Sequence, residues 1–187
     1  MRKNFGAQPI LYPQPVFIIG SYDENGTPDA MNAAWGGLSE ANELSICLSP
    51  EHKTVHNILA RNAFTVSMGT VDTLIACDYV GLVSGNDVAD KVDKAGFHAV
   101  KSAFVDAPLF QELPMAVECR LIRYDPNTCR MVGEIVNVCA EEGILTDGKI
   151  DPMKPRPITY DGMNRAYYAL GEKVGNAFQD GGALMTP

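Results

Sequence analysis

The sequence lacks the signatures of several large enzyme classes. No Gly-x-Gly-x-x-Gly run follows an apolar strand, no Gly-x-Ser-x-Gly elbow occurs, and no paired carboxylates stand out. Dinucleotide binding of the Rossmann kind, serine hydrolysis and glycoside hydrolysis therefore have no support. No stretch approaches 18 consecutive apolar residues, so a membrane-spanning helix is not expected. The opening MRKNFGAQPILYPQP has a basic tip but no apolar segment long enough for a secretory signal, and a cytoplasmic protein is the expectation. Positive charge is also scarce. Fifteen Lys and Arg face 23 Asp and Glu, a formal charge of -8, whose field repels phosphate backbones and anionic lipid surfaces. Neither nucleic acid nor membrane is an expected partner.

Cysteine and histidine are thinly spread. The five cysteines, Cys47, Cys77, Cys119, Cys129 and Cys139, are odd in number and form no Cys-x-x-Cys pattern. They indicate neither a disulfide framework nor zinc, and read best as small buried hydrophobes. Cys77, within LIACDYVG, has no basic neighbour in sequence to favour its thiolate. His52 and His56 stand four apart, a spacing able to hold metal, but no third ligand falls in register. His98 reads as an ordinary loop residue. No metal is expected.

What is present describes one α+β or β-barrel domain over residues 1–187. Residues 15–22 (PVFIIGSY) form an apolar, β-branched run that stops at Asp23-Glu24-Asn25-Gly26, a strong hairpin signal. The sequon Asn25-Gly26-Thr27 reads as part of that turn. A second strand is expected over 29–35 (DAMNAAW), broken by Gly36-Gly37, and a third over 43–48 (ELSICL). The spacing of Val55, Ile58 and Leu59 predicts a helix over 50–61, with Asn62 as its C-terminal cap before a strand over 64–68. Further helices are expected over 71–83 and 88–97, the latter ended by Gly96. Two long strands, 115–124 and 130–139, are joined by the turn Asp125-Pro126-Asn127-Thr128.

Two segments carry chemistry. Ser49-Pro50-Glu51-His52-Lys53-Thr54 places a cap-type residue, a proline and several donors at a helix start, a ready site for phosphate. Taken alone, it reads better as an ordinary surface helix capped by Ser49, with Lys53 solvated. Ala33-Ala34-Trp35-Gly36-Gly37 ends a strand in small residues beside the only tryptophan, which suits a flat ring system or a plugged barrel end.

In this order the motifs resemble the flavin reductase-like FMN-binding split barrels, and within them the flavoredoxin type. The resemblance rests on Pro15-Val16, Asp23 to Pro28, Ala33-Ala34-Trp35, Ser49-Pro50, Lys53-Thr54, Asn57-Ile58, Phe64-Thr65-Val66, Lys91, Ala95-Gly96-Phe97 and Val132 to Val136. It continues through Pro157 to Tyr160 and Tyr167 to Gly171. The fold it implies is mainly β with helices, a six-stranded antiparallel Greek-key split barrel, with FMN at a homodimer interface. It further implies that the strand through Asp29, Met31, Asn32, Ala33, Ala34 and Trp35 lines the flavin ring. Ser49, His52, Lys53 and Thr54 would hold phosphate and ribityl chain, and Lys91 and Tyr168 would approach the flavin. An asparagine is typical of the family where this chain has Asp29. The histidine often found before the last long strand is absent, since Thr128, Cys129 and Arg130 occupy that stretch. The implied activity is an oxidoreductase passing electrons from NAD(P)H or a protein donor through FMN to a flavin, metal or protein acceptor, with no protein nucleophile. The rivals are a flavoredoxin-type electron carrier without turnover and a scaffold that has lost flavin.

Overall fold

A computed structural model describes residues 1–185. Seven strands make one antiparallel sheet: β1 Phe17–Tyr22, β2 Pro28–Ala33, β3 Gly36–Glu40, β4 Glu43–Cys47, β5 Ala63–Met68, β6 Met115–Asp125 and β7 Arg130–Ala140. They lie in the order β2-β1-β5-β6-β7-β4-β3. The row curls into a barrel that stays split, because its two end strands do not pair with each other.

The seventh strand lies where Gly36-Gly37 was expected to interrupt the chain. Gly36 and Gly37 instead pair with Ile46 and Ser45. A Cβ on Gly36 would stand 2.8 Å from the Ser45 carbonyl, so glycine here permits close strand approach rather than breaking the strand.

The first half of β1 is apolar because both of its faces are covered. Phe17 and Ile19 join the barrel core with Leu44, Ile46, Phe64, Val66 and Met131. Val16 and Ile18 join a second core with Ala30, Cys77, Val80, Val92 and Phe97. Helix α1, Lys53–Arg61, closes the first core with Val55 and Ile58. Helix α2, Leu74–Leu82, covers the second through Cys77 and Val80. Full burial of a side chain the size of Val55 or Ile58 contributes about 1.5–3 kcal/mol.

The β1–β2 turn matches its sequence signal. Gly26 has φ +83°, and the Asp23 carboxylate accepts from the Asn25 and Thr27 amides at 2.9 Å each. Arg61 clamps this turn onto α1, donating to the Asp23 and Glu24 carbonyls. Asn62 ends α1 with φ 54° and its N–H on Ile58, as an αL cap should.

The short helix α3, Lys91–Lys94, ends at Gly96 with φ +76°. A hairpin of β8 Ile158–Asp161 and β9 Ala166–Ala169 packs beside the barrel and pairs with Gln14–Pro15. No helix among the described residues is long and apolar enough to cross a membrane.

Candidate functional site

Three cavities adjoin along the end of β2. The first, about 240 Å³, is lined by Asp29, Met31, Asn32, His52, Lys53, Thr54, Lys91 and residues 80–85, where α2 ends and the following loop begins. It shares Asn32, Gly81 and Leu82 with a second cavity of about 370 Å³, which adds Ala34, Asp78, Tyr160, Arg165 and Tyr167. Tyr160 in turn borders a third, about 410 Å³, with Trp35, Met163 and residues of the segment 8–14.

The start of α1 faces the first cavity. The helix begins at Lys53 rather than at 50, and no side chain caps it. Ser49 is therefore not its cap: the His52 amide donates to the Ser49 carbonyl at 3.2 Å in a turn that precedes the helix. No acidic residue lies in the first turn, so the amide groups at this end keep their partial positive charge. The buried Nδ1 of His52 has no hydrogen-bond partner among the described residues. A buried ring nitrogen without a partner costs free energy that a ligand oxygen can offset.

Two of the candidate phosphate ligands are already engaged. Lys53 Nζ stands 3.0 Å from Asp23 Oδ2, with its side chain about a quarter exposed. The Thr54 hydroxyl is buried and donates to Asp29 Oδ2 at 2.7 Å. Asp29 Oδ1 meets Lys91 Nζ at 3.1 Å, and both side chains are almost free of solvent. Asp29 thus faces the cavity neutralised by a lysine.

The second cavity has a polar wall that sequence reading missed. Tyr167 donates its hydroxyl to Asp78 Oδ1 at 2.7 Å. Burial first, and then the Asp78 carboxylate, push the Tyr167 phenol far above its ordinary range, so it stays a donor. The Asn32 amide donates to the Cys77 carbonyl at 2.9 Å and so fixes β2 against α2. Gly81 lets the helix come this close, since a Cβ there would meet Asn32 at 3.0 Å. Glycine at 81 was the one available sequence signal for this wall.

Seven of the candidate residues, Asp29, Met31, Asn32, His52, Lys53, Thr54 and Lys91, meet in the first cavity, and Ala34 lines the second. Ala33 faces the barrel core. Trp35 is 58% exposed and lines only the third cavity. Tyr168 is exposed on the hairpin and lines none of the three. Its neighbour Tyr167 takes the inward position, as alternation along β9 requires.

A trough with an anion-ready helix end, a strand of small residues and no catalytic nucleophile is a cofactor site in outline. The family model described as "Flavin reductase like domain" matches residues 10–167. The chain belongs to the flavin reductase-like family. Within it the flavoredoxin type fits best. The flavoredoxin of Desulfovibrio vulgaris (Miyazaki F) is 36% identical, covering 97% of this chain and 100% of that one, with a TM-score of 0.93. The flavoredoxin of Methanosarcina acetivorans is 29% identical over 99% and 98% of the two chains, with a TM-score of 0.85. A curated protein of Aquifex aeolicus (strain VF5), described as uncharacterised, is 30% identical over 125 residues. That match spans 64% of this chain and 62% of the relative.

Proposed function

We propose that this flavin reductase-like chain is an FMN-dependent oxidoreductase that works as a homodimer. FMN is the cofactor, and it supplies the electron transfer between a donor, NAD(P)H or a redox protein, and a flavin, metal or protein acceptor. The observation that carries this reading is the start of α1, which has no side-chain cap and no acidic residue in its first turn, with the partnerless His52 Nδ1 at that end of the trough. That end suits a terminal phosphate. The chain beyond it runs past Asn32 and Ala34 toward the Tyr167 hydroxyl, where a flat polar-edged ring has both small neighbours and hydrogen-bonding groups.

This chain's own residues bind and orient rather than react. The α1 amides and His52 Nδ1 face the phosphate end, and Lys53, paired with Asp23, stands beside them. Asn32 and Tyr167 present polar atoms to the ring, and the aromatic cavity between Trp35 and Tyr160 offers a place for a second planar group. Exposed Trp35, Leu38, Tyr168 and Leu170 supply apolar surface for a second copy. The cytoplasm is the proposed location.

A purified protein with flavin absorbance, or one that gains it on adding FMN, and that then oxidises NADH or NADPH with free flavin as acceptor, supports the reading. Failure to take up FMN removes it. A second reading, an electron carrier without turnover of its own, is favoured by the 36% identity to a flavoredoxin and by the charge of -8, which suits docking to basic redox proteins. Reduction only by a protein donor, with no steady-state NAD(P)H oxidation, selects it.

A further inference from the structure

Four parts of the chain converge on one buried ion pair. Asp29 on β2 bonds to Thr54 on α1 through Oδ2 and to Lys91 at the start of α3 through Oδ1, at 2.7 and 3.1 Å. Lys91 Nζ also donates to the Val83 carbonyl at 3.3 Å. Gly85 packs so tightly here that a Cβ would stand 2.5 Å from Asp29 Oδ1. The side chains of Lys91 and Asp29 are 4% and 2% exposed, so water screens neither well. Both line the cavity that holds His52 and Lys53.

Opposite charges at this separation present a sum near zero to an anion farther off. Lys91 consequently adds little net attraction at the phosphate end, and Asp29 is the reason. We propose that Asp29 sets the affinity of the flavin site: by holding Lys91 in a neutral pair it loosens the grip on the phosphate and keeps FMN exchangeable. The proposal rests on the trough being the FMN site. Asp29 is a positioning residue in this scheme, acting through Lys91. Asparagine at 29 has nearly the same shape, still offers Lys91 an oxygen, and leaves the ammonium uncompensated.

The test is a charge ladder read with two ligands, FMN and riboflavin, which lacks the phosphate. Both are titrated by flavin fluorescence into wild type, Asp29→Asn, Lys91→Gln and the double variant Asp29→Asn/Lys91→Gln, with circular dichroism confirming each fold. Asp29→Asn is expected to bind FMN about tenfold tighter and Lys91→Gln about tenfold weaker. The double variant, whose pair is again neutral, returns to within about threefold of wild type. Riboflavin affinity stays within about twofold throughout, because no phosphate is there to feel the charge. If Asp29→Asn does not fold, Asp29→Ser replaces it, and if Lys91→Gln does not, Lys91→Met does, with the same direction expected of each.

FMN affinity that does not rise in Asp29→Asn, or riboflavin affinity that moves in step with it, overturns the proposal. So does a double variant as weak as Lys91→Gln, since that places Lys91 directly on the flavin. Wild type that binds FMN while the ladder stays flat refutes this inference alone. Wild type that binds no FMN refutes the reading of the site as well.

Discussion

Lys53 and Asp23 tie the hairpin turn to the helix start, and the tie is electrostatic. Desolvation pushes the Asp23 carboxyl up, but the Thr27 amide, Lys53 and the Asn25 amide together hold it below its ordinary range. A depressed folded value adds stability above the ordinary carboxylate pKa, and that stability is lost as pH falls through the folded value. Asp23→Asn should therefore lower the urea midpoint at pH 7, with the gap from wild type closing as the pH drops from about 4 toward 2. The cysteines divide by burial. Burial, and then the neighbouring Glu118 carboxylate, push the Cys119 thiol up to about 12, and burial also raises Cys77. At pH 8 the native protein should leave both unreacted with a thiol reagent while exposed Cys47 reacts, and denaturation should release the rest. Reaction of Cys119 in the native state would contradict its placement. At this scale the sequence disclosed residue types at the site but not their pairings. Lys91 lies 62 positions from Asp29 and Tyr167 lies 89 from Asp78, and no local pattern encodes such contacts.

Elements were legible where a local rule decides them. The β1–β2 hairpin follows from Asn25-Gly26, and the end of α1 from Asn62, whose αL geometry needs only a short polar side chain. The start of α1 was misplaced because Ser49-Pro50 has the chemistry of a cap. Leu48, just past β4, is tied down, its amide donating to the Cys129 carbonyl and its carbonyl accepting from the Tyr124 hydroxyl, and a turn from Ser49 to His52 follows. Tertiary hydrogen bonds delay the helix to Lys53. The small hairpin β8–β9 went unseen as strands, since its pairing with Gln14–Pro15 joins distant parts of the chain. β7 carries a prediction of its own. A Cβ on Gly133 would stand 2.4 Å from the Phe64 ring in the barrel core, so Gly133→Ala should cost about 1–3 kcal/mol in urea denaturation. An unchanged midpoint would mean that the ring yields without strain.

For the whole molecule, the split barrel was legible from the order of motifs, while the three adjoining cavities were not, because they form where β2, α2 and the β8–β9 hairpin meet. Binding to the folded state alone raises stability by mass action. FMN at about 100 times its dissociation constant should add about 2.7 kcal/mol, which for a chain of 187 residues raises Tm by roughly 5–10 °C. Riboflavin at the same concentration should raise it less. Light scattering should give about twice the chain mass of 20.2 kDa, and a monomer would contradict the proposed assembly. The central claim is that the start of α1 grips the flavin phosphate, and affinity for FMN relative to riboflavin measures it most directly. Wild type should prefer FMN at least about a hundredfold, and His52→Ala/Lys53→Met, which leaves the α1 amides in place, should cut that preference about tenfold. Equal affinity of wild type for the two flavins, or a preference undiminished by the double replacement, would contradict it.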